Sequence, residues 1–191
     1  KRAIDVIIGG PPCQAYARVG RAKLREIREH PEAFKVDPRG DLYLRYLQYV
    51  DEFMPLAILM ENVPDMLNHG GRNVVQEMVD TLHEMGYTAK YSLINSAHHG
   101  VPQMRERLYM IAIRKELGTA IQFPKATHQH KLPSGYMNVR QVALKMVDGL
   151  IGGDGYMETC PGDDEQPPAI TAREAIGDLP RITKHQDGKL K

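Results

Sequence analysis

A chain of 191 residues is long enough for one domain with a proper core and too short to hold two comfortably. Its hydrophobic residues (42%) and charged residues (26%) are in the proportions of a globular protein, and no apolar run approaches the ~18 residues of a membrane span. The net charge of +1 neither favours nor excludes a nucleic-acid partner. The two cysteines, Cys13 and Cys160, are too few for a disulfide framework and favour a reducing cytoplasm.

Short apolar runs alternate with helix-like segments over the first part of the chain, a pattern typical of a parallel α/β sheet. The predicted strands are, in chain order, Ile4–Ile8, Ala57–Met60, Tyr87–Ala97 and Leu108–Ile113. Apolar residues at helical spacing predict helices over residues 40–54 and from Val74 to Met85, the second of them closed by Gly86. The apolar face of the first helix is predicted to contain Leu42, Tyr46, Tyr49, Val50 and Phe53. After Phe123 the chain is rich in Pro, Gly, His and Asp, with a helix predicted over 138–149 and a helical turn at Ala172–Ile176.

Chemically notable groups stand at three of the predicted strand boundaries. Gly9–Gln14 follows the first strand, Glu61–Pro64 follows the second, and Gln103–Arg107 leads into the fourth. Taken singly, Cys13 is interpretable as a small buried hydrophobe. Glu61 is likewise interpretable as a helix cap, and Arg105 and Arg107 as surface salt-bridge partners. Because ligands bind beyond the carboxyl ends of strands in open α/β sheets, their joint occurrence predicts a thiol, a carboxylate and two guanidiniums at one sheet edge.

Three ordered motifs resemble signatures of the C5-cytosine DNA methyltransferases. They are Pro12-Cys13-Gln14, Glu61-Asn62-Val63 and Gln103-x-Arg105-x-Arg107. Supporting similarities are Asp37-x-Arg39-Gly40-x-Leu42, Asn95-x-Ala97, and Ala172–Pro180, which resembles the segment before the family's target-recognition region. The resemblance implies a Rossmann-like, S-adenosylmethionine-dependent methyltransferase fold, with this chain as the nucleophile-bearing half of its sheet.

The resemblance also implies a role for each catalytic group. Cys13 is the nucleophile that adds to cytosine C6 and so makes C5 electron-rich. Glu61 faces N3 and the exocyclic amine, Arg107 holds O2, and Arg105 supports the loop. Further substrate contacts are implied for Pro12, Gln14, Asn62, Val63 and Gln103. The implied cofactor is S-adenosylmethionine, with Pro12 and Leu42 at minor donor-contacting positions.

The implied substrate is double-stranded DNA with its target cytosine flipped out of the helix. We expect no metal and no membrane contact, a monomeric full-length enzyme, and a bacterial-type cytoplasmic setting such as restriction-modification. The family's glycine-rich donor signature is expected upstream of Lys1. Residues 1–125 are therefore predicted to be a partial catalytic domain and residues 126–191 a connector toward target recognition, and the isolated chain is expected not to methylate DNA.

The sequence departs from the family pattern after the nucleophile, where Tyr16 and Ala17 replace the usual Phe and Ser. The basic segment 17–39 is equally compatible with a solvated surface helix and with a loop that closes on DNA. The pairs His98-His99 and His128-x-His130 lack the spacing of a metal site. Two alternatives to DNA methylation stay open: cytosine methylation of transfer RNA, and a non-catalytic chain that binds nucleic acid or a partner.

Overall fold

The structure of the protein is a computed structural model that describes residues 4–12, 42–131, 133–148, 155–159 and 162–179. The chain divides into two compact units. The first comprises Lys1–Ile94, Glu106–Lys125 and Lys131–Cys160, and the second comprises Asn95–Arg105, Ala126–His130 and Pro161–Lys191. The functional division at residue 125 stays a prediction.

A four-stranded sheet forms the centre of the first unit. Its strands are β1 (Val6–Gly9), β2 (Ala57–Asn62), β3 (Tyr87–Asn95) and β4 (Glu106–Arg114), in the spatial order β1-β2-β4-β3. β1 and β2 are parallel, with Gly9 opposite Met60. β4 runs antiparallel to β2, so the prediction of a parallel sheet is wrong for this strand. The physical reason is the short connection from β3 to β4, because parallel neighbours need a longer crossover.

The helices fall close to their predicted positions. They are α1 (Leu42–Phe53), α2 (Val74–Glu84), α3 (Ser134–Asp148) and α4 (Ala172–Ile176). Short 3-10 turns occupy Pro64–Asn68, Ser96–His99 and Lys115–Leu117. α3 begins four residues before the predicted 138. β3 ends at Asn95 because Ser96–His99 forms a turn, rather than continuing to Ala97.

The hydrophobic core lies between one face of the sheet and the helices. From α2 it takes the predicted residues Val74, Val75, Met78, Val79 and Leu82, all of them buried. From the sheet it takes Ile58, Met60, Leu93, Leu108, Met110 and Ala112. α1 contributes Leu47 and Val50, whereas Tyr49 is 58% exposed and stacks on Phe53. The prediction of Tyr49 on the buried face is therefore wrong, since Leu47 takes that side of the helix.

The outer edge of β3 is covered by the segment from Gly155 to Thr159. The amide of Tyr91 donates to the carbonyl of Gly155 at 2.8 Å, and the amide of Met157 donates to the carbonyl of Tyr91 at 2.9 Å. The hydroxyl of Thr159 donates to the carbonyl of Leu93 at 3.0 Å. The rings of Tyr91 and Tyr156 also pack together, with centroids 5.6 Å apart.

The second unit is held by backbone bonds between its segments. The amide of Thr127 donates to the carbonyl of His98 at 2.9 Å, and the amide of Gln129 donates to the carbonyl of Pro167 at 2.9 Å. α4 begins with a capping box in which Thr171 and Glu174 bond reciprocally, which satisfies its first amide groups. Within the described residues, no helix is both long enough and apolar enough to cross a bilayer.

Candidate active site

The loop after β1 is fixed to the carboxyl end of β2 by Asn62. This side chain is 4% exposed, and its Nδ2 donates to the carbonyl oxygen of Pro11 at 3.0 Å. Its Oδ1 accepts from the amide of Val63 at 2.9 Å. Asn62 therefore joins the loop that leads to the predicted nucleophile with the strand that carries the predicted acid.

Gly10 brings the backbone of this loop against Glu61. A Cβ at Gly10 would lie 3.0 Å from the carbonyl oxygen of Glu61 and 3.4 Å from its Oε2. A side chain at this position would require Glu61 or the loop to move. The absence of a Cβ thus explains why a glycine stands directly before Pro11 and the first motif.

Glu61 and Arg107 form an ion pair at the same strand end. Glu61 lies opposite Tyr109 in the β2–β4 register, and the Nε of Arg107 is 3.1 Å from the Oε1 of Glu61. Their side chains are 43% and 22% exposed. Because β4 is antiparallel to β2, the first residues of β4 lie at the carboxyl end of β2, and this direction brings the two predicted groups together.

Glu61 and Arg107 present complementary hydrogen-bonding groups that are partly exposed to solvent. A carboxylate accepts hydrogen bonds, or donates one when it is protonated, whereas a guanidinium only donates. A heterocycle that carries both a donor and acceptors could be held between two such side chains. The Nη1 of Arg107 also donates to the carbonyl oxygen of Glu106 at 2.7 Å, which orients the guanidinium.

Tyr46 of α1 marks the side of the site on which the donor contacts are predicted. Its hydroxyl donates to the carbonyl of Leu59 at 3.4 Å, and a Cβ on Gly9 would lie 3.1 Å from its ring. Burial raises the pKa of Tyr46 to about 12. Leu42 begins α1 one turn before Tyr46 and is half-buried, while Pro12 is exposed beyond β1. Both predicted donor-contacting residues therefore lie toward the carboxyl edge of the sheet.

Two predicted residues belong to the second unit. Gln103 and Arg105 are both exposed, in a turn where the amide of Arg105 donates to the carbonyl of Gln103 at 3.0 Å. The carbonyl of Arg105 accepts from the amide of Ser96 at 2.9 Å. The loop-supporting role implied for the Arg105 side chain stays a prediction.

The nucleophile and its neighbours lie outside the described residues. These are Cys13 and Gln14, together with the basic segment 17–39. The structure therefore brings Glu61 and Arg107 together, with Asn62, Val63 and the loop through Pro12 beside Glu61. Convergence of the thiol on this edge stays a prediction.

The histidines of the second unit are engaged in bonds within it. The Nε2 of His98 lies 3.2 Å from the carbonyl oxygen of His130, and the hydroxyl of Thr127 lies 2.9 Å from the Nδ1 of His128. Burial, with repulsion from His98 and His128, lowers the pKa of His99. Over the part of the chain that the structure describes, no three His, Cys, Asp or Glu side chains are placed to hold a metal ion.

Comparison with known proteins decides the family. Residues 1–183 match the family described as C-5 cytosine-specific DNA methylase. The chain belongs to this family. As a C-5 cytosine-specific DNA methylase chain, it shares 35% identity with a protein of Oceanobacillus iheyensis named type II methyltransferase M.OihORF3336P, over 97% of this chain and 40% of that protein.

A second relative and a solved structure extend the comparison. Type II methyltransferase M.AgeI of Thalassovita gelatinovora is 32% identical over 93% of this chain and 35% of its own length. A crystal structure described as a DNA modification methyltransferase encoded within an E. coli prophage superposes with a TM-score of 0.54 at 22% identity, over 94% of this chain and 36% of the other. The Rossmann-like methyltransferase fold predicted from the sequence is confirmed. The chain spans about 40% or less of the length of these proteins.

The motifs gave no indication of one polar cluster beside the site. Glu106, between the two arginines of the third motif, is 5% exposed and binds Arg140 of α3. Arg140 lies 34 residues further along the chain, within the helix predicted over 138–149. The one available signal was a charged residue shortly before the predicted strand Leu108–Ile113, because a carboxylate that becomes buried requires a partner of opposite charge.

Proposed function

We propose that the protein transfers a methyl group from S-adenosylmethionine to C5 of cytosine in DNA. The observation that carries the proposal is the 3.1 Å pair of Glu61 and Arg107, beside the loop that Asn62 ties to β2 and that leads into Cys13. Membership of the C-5 cytosine-specific DNA methylase family supports it. Because the chain spans 40% of the relative from Oceanobacillus iheyensis, the proposal concerns the whole protein in which this chain occurs.

Cys13 acts as the nucleophile in this proposal. Cytosine C5 is a poor nucleophile, and addition of a thiolate to C6 forms a sulfur–carbon bond and converts the ring to an enamine with an electron-rich C5. C5 then attacks the methyl group of the donor and breaks its bond to the donor sulfur, so that S-adenosylhomocysteine leaves. A water molecule takes up the C5 proton, and elimination of the thiolate from C6 restores the aromatic ring. A free thiol has a pKa of about 8.5, so the site must favour the thiolate for this step to be fast at neutral pH.

Glu61 and Arg107 hold the cytosine and take up the charge that thiolate addition creates. Addition at C6 pushes electron density toward N3, where the carboxylic acid form of Glu61 donates a hydrogen bond or a proton once the base has displaced the ion pair with Arg107. Arg107 donates to O2, on the neighbouring edge of the ring. Their 3.1 Å pairing before the base arrives holds both side chains close to these positions, which reduces the reorganisation needed on binding.

The methyl donor occupies the carboxyl edge of the sheet, the usual ligand position in open α/β folds. S-adenosylmethionine supplies an electrophilic methyl group when it is bound. Pro12 and Leu42 offer apolar surface at this edge, and neither is fully buried. Their place fits the minor contacts that the family resemblance assigns to them.

DNA is the substrate that the family supports, and the target base has to leave the duplex before a thiol can reach C6. The test is adduct formation with DNA that carries 5-fluorocytosine at the target, because fluorine at C5 prevents the elimination step. We expect a denaturation-stable adduct with the whole protein, none with Cys13→Ser, and an undiminished adduct with the matched control Cys160→Ser. An adduct that survives in Cys13→Ser would overturn the assignment, and an adduct with transfer RNA instead of DNA would move the substrate to RNA.

A further inference from the structure

Arg140 of α3 is surrounded by groups that accept hydrogen bonds. Its guanidinium donates to Oε1 of Glu106, to Oε1 of Glu158 and, at 3.3 Å, to the hydroxyl of Tyr156. The Tyr156 hydroxyl donates to Oε2 of Glu158 at 2.6 Å. Burial raises the pKa of Tyr156, so the phenol stays protonated and keeps this donor at neutral pH. The cluster therefore joins β4, α3 and the segment beside β3.

Burial distinguishes this cluster from an ordinary surface ion pair. The side chain of Glu106 is 5% exposed and that of Arg140 is 15% exposed. By contrast, the pair of Arg72 and Glu77 has the same chemistry at 61% and 43% exposure. A buried carboxylate without a partner is strongly unfavourable, whereas an exposed pair contributes little. Arg140 is thus the group that allows a charged Glu106 at the start of β4.

Glu106 and Arg107 are neighbours on one strand with opposite orientations. Successive side chains of a strand point to opposite faces, and the burial pattern of β4 alternates accordingly from buried Glu106 to half-buried Arg107. Arg140 holds Glu106 on the buried face, while Arg107 reaches Glu61 from the other face. The carbonyl of Glu106 also accepts from Arg107, so the same peptide is fixed from both sides.

We propose that Arg140 is a positioning residue for methyl transfer, which acts through Glu106 to hold the start of β4 where Arg107 meets Glu61 and the cytosine. The inference rests on the function proposed above. A displacement of about 1 Å at a reacting site lowers turnover about 100-fold, so the loss of this anchor is large enough to measure.

The kinetic test uses the whole protein and compares Arg140→Met with the matched control Arg72→Met. Turnover is measured at saturating DNA and donor. It is divided by the concentration of active sites, which is determined from the amount of adduct formed with 5-fluorocytosine DNA. We expect kcat to fall about 10- to 100-fold in Arg140→Met, with KM for DNA within about 3-fold of the wild type, and no change in Arg72→Met. An unchanged kcat per titrated site would overturn the proposal, because a role in stability alone only lowers the number of folded molecules.

Two further variants test the route through Glu106. Arg140→Lys keeps a positive charge beside Glu106 but loses the guanidinium nitrogens that bind Glu158 and Tyr156. This variant should therefore fold even if Arg140→Met does not, and its kcat should be intermediate. In the double variant of Glu106→Gln and Arg140→Met, kcat should stay within about 3-fold of the lower single variant, since the two residues act as a unit. If the fold-losses in kcat of the two single variants multiplied in the double variant, Arg140 would act by a route other than Glu106, which would refute the proposal.

Amide hydrogen exchange separates this inference from the proposed function. Arg140→Met should speed exchange at Arg107 and Leu108 at least about 10-fold relative to Arg72→Met, whether or not the protein methylates DNA. Unaltered exchange there would overturn the positioning role. If the wild type forms no adduct and transfers no methyl group while exchange responds as expected, the proposed function fails and the anchoring of β4 stands.

Discussion

Replacing Asn62 with alanine removes two hydrogen bonds from a side chain that is 4% exposed. Each bond contributes about 1 kcal/mol net, so we expect the free energy of unfolding to fall by about 2 kcal/mol. For a domain of this size the melting temperature should drop by about 4–8 °C. The loop through Pro11 and Pro12 also loses its tether to β2, so the rate of adduct formation by the whole protein should fall by about 10-fold or more.

The matched control is Asn68→Ala. Asn68 also donates from Nδ2 to a backbone carbonyl, that of Val142 at 3.0 Å, but this bond is exposed and lies away from the loop. We expect a loss below about 1 kcal/mol and no change in adduct rate. Urea unfolding measures the free energy of unfolding of both variants, provided that the slope of free energy against urea concentration is the same as in the wild type. An Asn62→Ala variant as stable and as reactive as Asn68→Ala would refute the tether.

Three further changes test the site and the sheet. Glu61→Gln should lower the turnover of bound DNA by about 100-fold or more at nearly unchanged DNA affinity, and a loss of affinity alone would make Glu61 structural. The pKa of Tyr46 is about 12 in the folded protein and about 10 in the unfolded protein, so its contribution to stability is complete below pH 10 and is lost as pH rises through 12. Urea unfolding between pH 10 and 12 should therefore show a smaller loss of stability in Tyr46→Phe than in the wild type. Gly155→Ala should destabilise by about 1–3 kcal/mol, because the new Cβ would lie 2.7 Å from the ring of buried Tyr91, whereas Gly135→Ala in α3 meets no neighbour within 4 Å and should stabilise by about 0.5–1 kcal/mol.

The sequence predicted which elements form and failed on the direction of one of them. Apolar runs and helical spacing located each strand and helix within a few residues, because burial imposes those periods directly. The run from Leu108 to Ile113 carries no information about strand direction, and that direction depends on the connection from β3. The prediction for Tyr49 fails because Leu47 and Val50 together occupy the buried side of α1, and Tyr49 lies on the opposite side from Leu47.

The candidate site was predictable where motifs lie next to strand ends and unpredictable where it depends on distant partners. Glu61 and Arg107 were predicted from their motifs, and the structure pairs them. Arg140 could not be predicted, because its partner Glu106 is remote in sequence and only the packing of α3 brings them together. Cys13, on which the chemistry depends, lies outside the described residues, so its role stays a prediction.

The pairing of Gly155–Thr159 with β3 determines at which edge of this sheet a further strand can be added. A sheet extends only along an edge whose backbone amides and carbonyls are free, and such an edge accepts strands from the same chain or another. The described segment beside Tyr91 and Leu93 occupies that position on the β3 side. β1 is the outermost strand on the opposite side, and its Val6 and Ile8 are 51% and 73% exposed. Among the described strands, the position open to an added strand, whether from elsewhere in the protein or from a second copy, is therefore the one beside β1.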